Sequence, residues 1–268
     1  VEILPQITQI LAETPSIAID TIRADFRKDR RSKDGSKLDR LNLIARKYGK
    51  SWRKMDKSDW RFKTIAKKYR YDTELNLTNI FELDDLNIFY ANTAQDSRHR
   101  ARLEIFGLKQ YGDEQTPSSL IAEFLKAVGN VSSVDLCFDS SSPFDVQKLA
   151  EYFYLRRYEN AFYVNHTGLS SLSKFYIYDK KIKDGLKTDL WRLEATAPIV
   201  DLNKPALLPR TERLELQLRQ AVRDFSQIID IATKAQPAKL AYKAHNNKRE
   251  PKGVTAPDLS VTRRNVTL

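Results

Sequence analysis

Residues 171–199, SLSKFYIYDKKIKDGLKTDLWRLEATAPI, decide how this chain is read. Two runs in it alternate with the period of two that a half-buried strand imposes. Phe175 and Ile177 fall on one face and Tyr176 and Tyr178 on the other; Trp191 and Leu193 then oppose Arg192 and Glu194. The segment reads as a hairpin whose polar face carries a phenol, acids and bases: Tyr178, Asp179 and Lys180 in a row, with Arg192 and Glu194 on the partner strand. A solvated hairpin face and a place where a tyrosine meets a charged substrate both fit.

Outward from this hairpin the same period recurs. The stretches 79–92 (NIFELDDLNIFYAN), 99–111 (HRARLEIFGLKQY), 131–139 (VSSVDLCFD) and 161–166 (AFYVNH) read as strands. Between them, 116–130 (TPSSLIAEFLKAVGN) is helical, with Leu120, Ile121, Phe124, Leu125 and Val128 as its apolar face and Gly129 closing it. Residues 142–160 read as a helix opened by Ser142 and Asp145, and 210–235 as a long amphipathic helix. The order β-β-α-β-α-β-β-β predicts an α+β fold, an antiparallel sheet with helices on one face.

Residues 1–70 read differently. The stretches 6–13, 16–29, 37–49 and 58–69 each place apolar residues at helical spacing, which predicts a small all-helical module. Within it, LIARKYGKSWRKM (43–55) looks like a helix-turn-helix, with Arg46, Lys47, Lys50, Arg53 and Lys54 as candidate DNA contacts. A plain helical hairpin is the alternative. After Pro237 periodicity is lost. The expected division is therefore 1–70, a basic helical module; 71–233, the α+β domain with its C-terminal helix; and 234–268, a basic flexible tail.

The charge supports that division. The net charge is +11, but residues 21–70 hold nineteen Lys and Arg against six Asp and Glu, and 234–268 hold eight against two. Residues 71–233 are mildly acidic. Two basic extensions on an acidic body suit a polyanion, nucleic acid before an anionic membrane surface. No stretch approaches the roughly 18 apolar residues of a membrane helix. The single cysteine, Cys137, excludes an internal disulfide and fits a reducing, cytoplasmic setting.

The chain has no Gly-rich phosphate loop, Cys cluster or HExxH, and its three histidines, His99, His166 and His245, are far apart. Carboxylates remain. Asp135 and Asp139 share a strand face, while Glu104 and Glu194 each sit in a strand two residues after an arginine, Arg102 and Arg192. Two readings stay open: a cross-strand ladder of ion pairs, and a cluster of oxygen ligands for Mg²⁺ or Mn²⁺. For Tyr178, a strand tyrosine packed on a neighbour is the plain reading. The chemical one is a nucleophile toward a phosphodiester, its phenol pKa lowered by Lys180 and Arg192.

Taken in order, RARLEIFGL, VSSVDLCFD, FYVNHTGLSSLSKFYIYDKK and WRLEA resemble the replication initiation factors of rolling-circle plasmids and phages. These are related to staphylococcal plasmid initiators and some conjugative-element relaxases. The likeness spans about residues 80–200. It implies a nicking-initiator-like sheet and an endonuclease that nicks one strand at an origin, stays attached through tyrosine and leaves a 3′-hydroxyl. It further implies Tyr178, Lys180 and Arg192 as catalytic, and Mg²⁺ or Mn²⁺ on Asp135, Glu104, Glu194 and Asp139. Tyr176, Tyr152 and Tyr154 stay open as alternative nucleophiles. Duplex and single-stranded origin DNA are the expected partners; a homodimer and a host helicase or polymerase stay open. A non-catalytic origin-binding or transcription-regulating protein is the second reading, and an RNA binder with an aromatic sheet face the third.

Overall fold

The computed structural model describes residues 2–27, 36–59, 61–62, 65, 78–84, 86–93, 100–109 and 116–233. The chain is α+β: ten strands form one antiparallel sheet, with six helices among the described residues. The helices are α1 (Ile3–Ala12), α2 (Lys37–Lys47), α3 (Ser118–Val128), α4 (Val146–Tyr152), α5 (Lys180–Asp184) and α6 (Arg210–Thr233). The strands are β1 (Ala18–Arg27), β2 (Trp52–Lys54), β3 (Thr78–Leu83), β4 (Ile88–Thr93), β5 (Arg100–Ile105), β6 (Ser133–Ser140), β7 (Arg156–Tyr158), β8 (Ala161–Val164), β9 (Lys174–Asp179) and β10 (Trp191–Pro198). Across the sheet they run β2-β3-β4-β5-β1-β6-β10-β9-β8-β7.

Period-two alternation sends one set of side chains to a single apolar core. Ile22, Ala24 and Phe26 of β1 join Leu103, Leu136, Leu193, Ala195, Phe175 and Ile177 there. They pack against Ile7, Leu41, Phe124, Leu149, Leu218 and Phe225 of the helices. Helices α1, α2, α3, α4 and α6 therefore share one face, as the α+β reading expects. Both the α3 and α6 readings hold, and Gly129 ends α3 in the left-handed region that glycine tolerates.

Of the helices expected in residues 1–70, those at 6–13 and 37–49 are present as α1 and α2, but the all-helical module is not. Residues 18–27, expected to be helical, form β1, bonded on both sides by β5 and β6. The helix-turn-helix becomes helix–turn–strand: α2 ends at Lys47, Gly49 turns the chain at φ 67°, and Trp52–Lys54 pair with β3. The cause is tertiary. In β1 the charged residues Arg23 and Asp25 find partners across the sheet, which makes their side of the strand a matched polar face. The line drawn at residue 70 thus crosses one sheet, and removing 21–70 would remove a central strand. Residues 61, 62 and 65 are helical, in keeping with the 58–69 reading; the rest of that helix and 234–268 lie outside the described residues.

Two further elements differ. NIFELDDLNIFYAN is two strands, folded back at Asp84 and Asn87, both at positive φ. The expected helix over 142–160 is only α4, capped by Asp145 accepting from the Lys148 amide; Arg156–Tyr158 leave it to pair with β8.

The sheet divides at its centre into two halves whose strands follow the same order. The first runs β1-α2-β2-β3-β4-β5-α3 and the second β6-α4-β7-β8-β9-β10-α6, with α5 inserted between β9 and β10. From the centre outward the strands lie β1-β5-β4-β3-β2 on one side and β6-β10-β9-β8-β7 on the other. Arg-Leu-Glu occurs at the same place in each, at 102–104 in β5 and 192–194 in β10.

Candidate active site on the open sheet face

The face away from the helices carries the polar alternates of the central strands. Arg23 grips Asp135 with two hydrogen bonds of 2.7 Å, and its Nε lies 3.6 Å from Glu104. Thr196 Oγ1 donates to Asp135 at 2.7 Å. Arg102 binds Asp25 at 2.5 and 2.8 Å and also approaches Glu104 at 3.8 Å. Arg192, fully buried, donates to Asp139 at 2.7 and 3.0 Å and to Asp20 at 2.6 Å.

Asp20 reaches Arg192 through an irregularity of β1. The register against β6 shifts between Ile19 and Thr21, leaving Asp20 as the extra residue of a bulge. A bulge re-aims a side chain, and here it sends a second carboxylate to a buried guanidinium. Arg23, Asp20 and Thr196 are thus part of the site although the sequence did not single them out. The signal available was the alternation Arg23, Asp25, Arg27 opposite Ile22, Ala24, Phe26.

Among the four carboxylates expected to hold a metal, Asp135, Asp139 and Glu104 are matched by arginines, which is the ion-pair ladder of the two readings. Asp135 gives both oxygens to Arg23 and one of them also to Thr196. Asp135 and Asp139 do not fit a divalent cation as arranged, because a hard cation needs carboxylate oxygens that guanidinium groups already hold. Among the described residues no three or more His, Cys, Asp or Glu are grouped to hold an ion.

Glu194 differs. It faces Tyr176 directly across β9, and Arg192 faces Tyr178, as the hairpin reading requires. Tyr176 donates to Glu194 Oε1, and Tyr178 donates to Oε2 at 3.2 Å. Burial, then the nearby charges of Asp20 and Asp135, raise the Glu194 pKa to about 7. The same burial pushes the Tyr178 phenol up, and Glu194 adds to that; Arg192 opposes it without prevailing. The expected lowering of the phenol pKa is therefore reversed. The Lys180 ammonium bonds Asp184. A different cation, Lys183, sits 4.3 Å over the Tyr178 ring.

The rings of Tyr163, Tyr176 and Tyr178 form a row, with centroid spacings of 6.0 and 5.8 Å and interplanar angles of 25° and 21°. Tyr176 is half-buried and Tyr178 is buried. Both line a cleft of about 290 Å³. Tyr152 is half-buried in α4, and Tyr154 is exposed beneath Arg156. His166 is exposed; His99 and His245 lie outside the described residues.

The candidate DNA contacts sit at the β2 edge and the α2 end. Arg46, Lys47, Arg53 and Lys54 are exposed and Lys50 half-buried. Lys47 bonds Glu123 of α3 at 2.6 Å, and Arg53 lies 3.9 Å from Asp84. Neither protein-family models nor curated proteins give a match to this chain.

Proposed function

We propose that this chain is a rolling-circle replication initiator that cuts one DNA strand through Tyr178. The observation that carries the reading is the Glu194 carboxylate, poised near neutrality and accepting from two phenols that line one cleft. A buried phenol is a weak nucleophile unless a base takes its proton as it attacks. Glu194 Oε2 is placed to be that base, and Tyr176 on Oε1 holds the carboxylate in position. The Tyr178 oxygen forms a bond to phosphorus while the bond from phosphorus to the 3′ oxygen breaks. The phenolic proton passes to Glu194, and the 3′ oxygen takes a proton from solvent. The products are a 5′-phosphotyrosine link and a free 3′-hydroxyl.

Arg192 stabilises this arrangement as a positioning residue: its charge, fixed by Asp139 and Asp20, faces Tyr178 across the sheet. The cations at the β2 edge and the α2 end would hold the flanking duplex by its phosphates. The resemblance of residues 80–200 to rolling-circle initiators supports the substrate; the proton acceptor supports the chemistry.

One observation favours the non-catalytic reading, that Asp25, Asp135 and Asp139 on this face are hydrogen-bonded by arginines. A random-sequence single-stranded DNA pool with a 3′ fluorophore separates the two. Incubated with the chain in Mg²⁺, Mn²⁺ or EDTA, it should give a protein-sized fluorescent band that survives SDS. No band in any of the three conditions, with strand binding intact, would establish the non-catalytic reading.

A further inference from the structure

The cleft beside Tyr178 has a counterpart in the other half of the molecule, and there it is filled. Register defines the counterparts. Ala91 faces Arg102 as Tyr178 faces Arg192, and Phe89 faces Glu104 as Tyr176 faces Glu194. One strand further out, Ile80 faces Ala91 as Ala161 faces Tyr178. At the edge, the Met55 amide bonds Ile80 O at 2.8 Å, while Tyr158 pairs with Ala161. In the first half Met55, Ile80, Phe89 and Ala91 form a closed apolar cluster with Ile65 and Phe62, which come from the long connection between β2 and β3.

The second half has no such connection. Glu159 and Asn160 alone join β7 to β8, and Glu159 adopts φ 49°, a conformation costly for a residue with a side chain. The same positions therefore surround an open space of about 290 Å³. Ala161 leaves the gap, Tyr163 and Tyr178 present ring surface, Tyr158 and Asn160 form the rim, and Lys183 stands at one wall. Tyr158 keeps 45% of its surface exposed, and Arg156, two residues before it on the same strand face, lies over the ring of Tyr154. Flat aromatic walls, an amide able to donate and accept, and cations at the edge suit an unstacked base on a phosphate chain.

We propose that this cleft holds one nucleobase of a single DNA strand, next to the phosphate that Tyr178 attacks, taking the place that Phe62 and Ile65 fill in the other half. The proposal rests on the strand-cutting reading for its choice of DNA, but its test requires no cutting. Tyr178→Phe protein, in EDTA, is titrated with oligodeoxythymidine of about 12 nucleotides and with an abasic strand of the same length. The base-bearing strand should bind about tenfold tighter or more. Tyr158→Ala, an exposed position whose loss spares the core, should cut that preference to under about threefold and leave abasic affinity unchanged. Equal weakening of both strands, or of neither, would overturn the proposal. So would oligouridine binding as tightly as oligodeoxythymidine, or thymidine monophosphate binding as tightly as the strand. A chain that forms no covalent adduct yet discriminates bases refutes only the cutting reading; one that forms the adduct without discriminating refutes only this cleft.

Discussion

Arg-Leu-Glu runs through β5 and through β10, each time facing an aspartate on one neighbouring strand, yet the two halves of the sheet put it to different use. In the first half Glu104 is fully buried between Arg23 and Arg102, and the positions across from the motif are Phe89 and Ala91. In the second half those positions are Tyr176 and Tyr178, and Glu194 takes their hydrogen bonds. Phe89 with Ala91 gives an apolar surface that the chain covers with its own residues. Tyr176 with Tyr178 gives an ionisable, hydrogen-bonding surface beside an open cleft. One framework thus carries a closed structural half and an open chemical half, and two residues per strand separate them.

The largest expected effect breaks this comparison at its carboxylates. Glu194→Gln should lower the rate of covalent DNA attachment by about 10²- to 10⁴-fold, the contribution of a positioned base. Glu104→Gln should change it by less than about tenfold, because Glu104 meets arginines rather than phenols. Attachment by the unaltered chain should rise with pH through about 7, as Glu194 loses its proton. Stability should move the opposite way. The folded pKa of Glu194 lies above its usual 4.5, so its contribution is full below about 4.5 and is lost as pH rises through about 7. Chemical denaturation across that window, compared with Glu194→Gln, should show a flatter profile for the variant.

The duplicated Arg–Asp pairs sharpen the comparison at the level of stability. Asp139 is 10% exposed against Arg192, whereas Asp25 is 42% exposed against Arg102. Breaking the buried pair should cost more, so Asp139→Ala should lose about 3 kcal/mol, with Asp20 retaining part of the match. Asp25→Ala should lose under about 1 kcal/mol. Equal losses from urea denaturation would mean that the halves do not differ in burial as described.

A smaller effect is expected at the β2 edge and the α2 end. Replacing Arg46, Lys50, Arg53 and Lys54 together by glutamine should weaken duplex binding and reduce the slope of log affinity against log salt by up to about 3 to 4. An unchanged slope would remove these cations from the interface.

Legibility in the sequence followed the range of the forces involved. The 171–199 hairpin was readable because both strands, their alternation and their pairing lie within one short window, and its face assignments hold at Tyr178, Arg192 and Glu194. β1 was not readable in the same way. Ile17, Ile19, Ile22 and Phe26 fit a loose helical spacing, and the partners that make Arg23 and Asp25 a sheet face lie far along the chain, at Asp135 and Arg102. For the same reason the ion-pair and metal readings of Asp135 and Asp139 could not be separated by pattern. Arg156–Tyr158 looked like the end of a helix until β8 supplied a ladder to join. The repeated Arg-Leu-Glu was the trace of the two halves, visible in the letters but without meaning until the strand order placed one copy on each side of the centre.

The position of the DNA attachment tests the role of Tyr178 directly. Adduct recovered from the random-sequence pool, digested with protease and nuclease and analysed by mass spectrometry, should carry its nucleotide remnant on Tyr178, and Tyr178→Phe should fold but form no adduct. A remnant on Tyr176, Tyr152 or Tyr154, or an adduct undiminished in Tyr178→Phe, would contradict it.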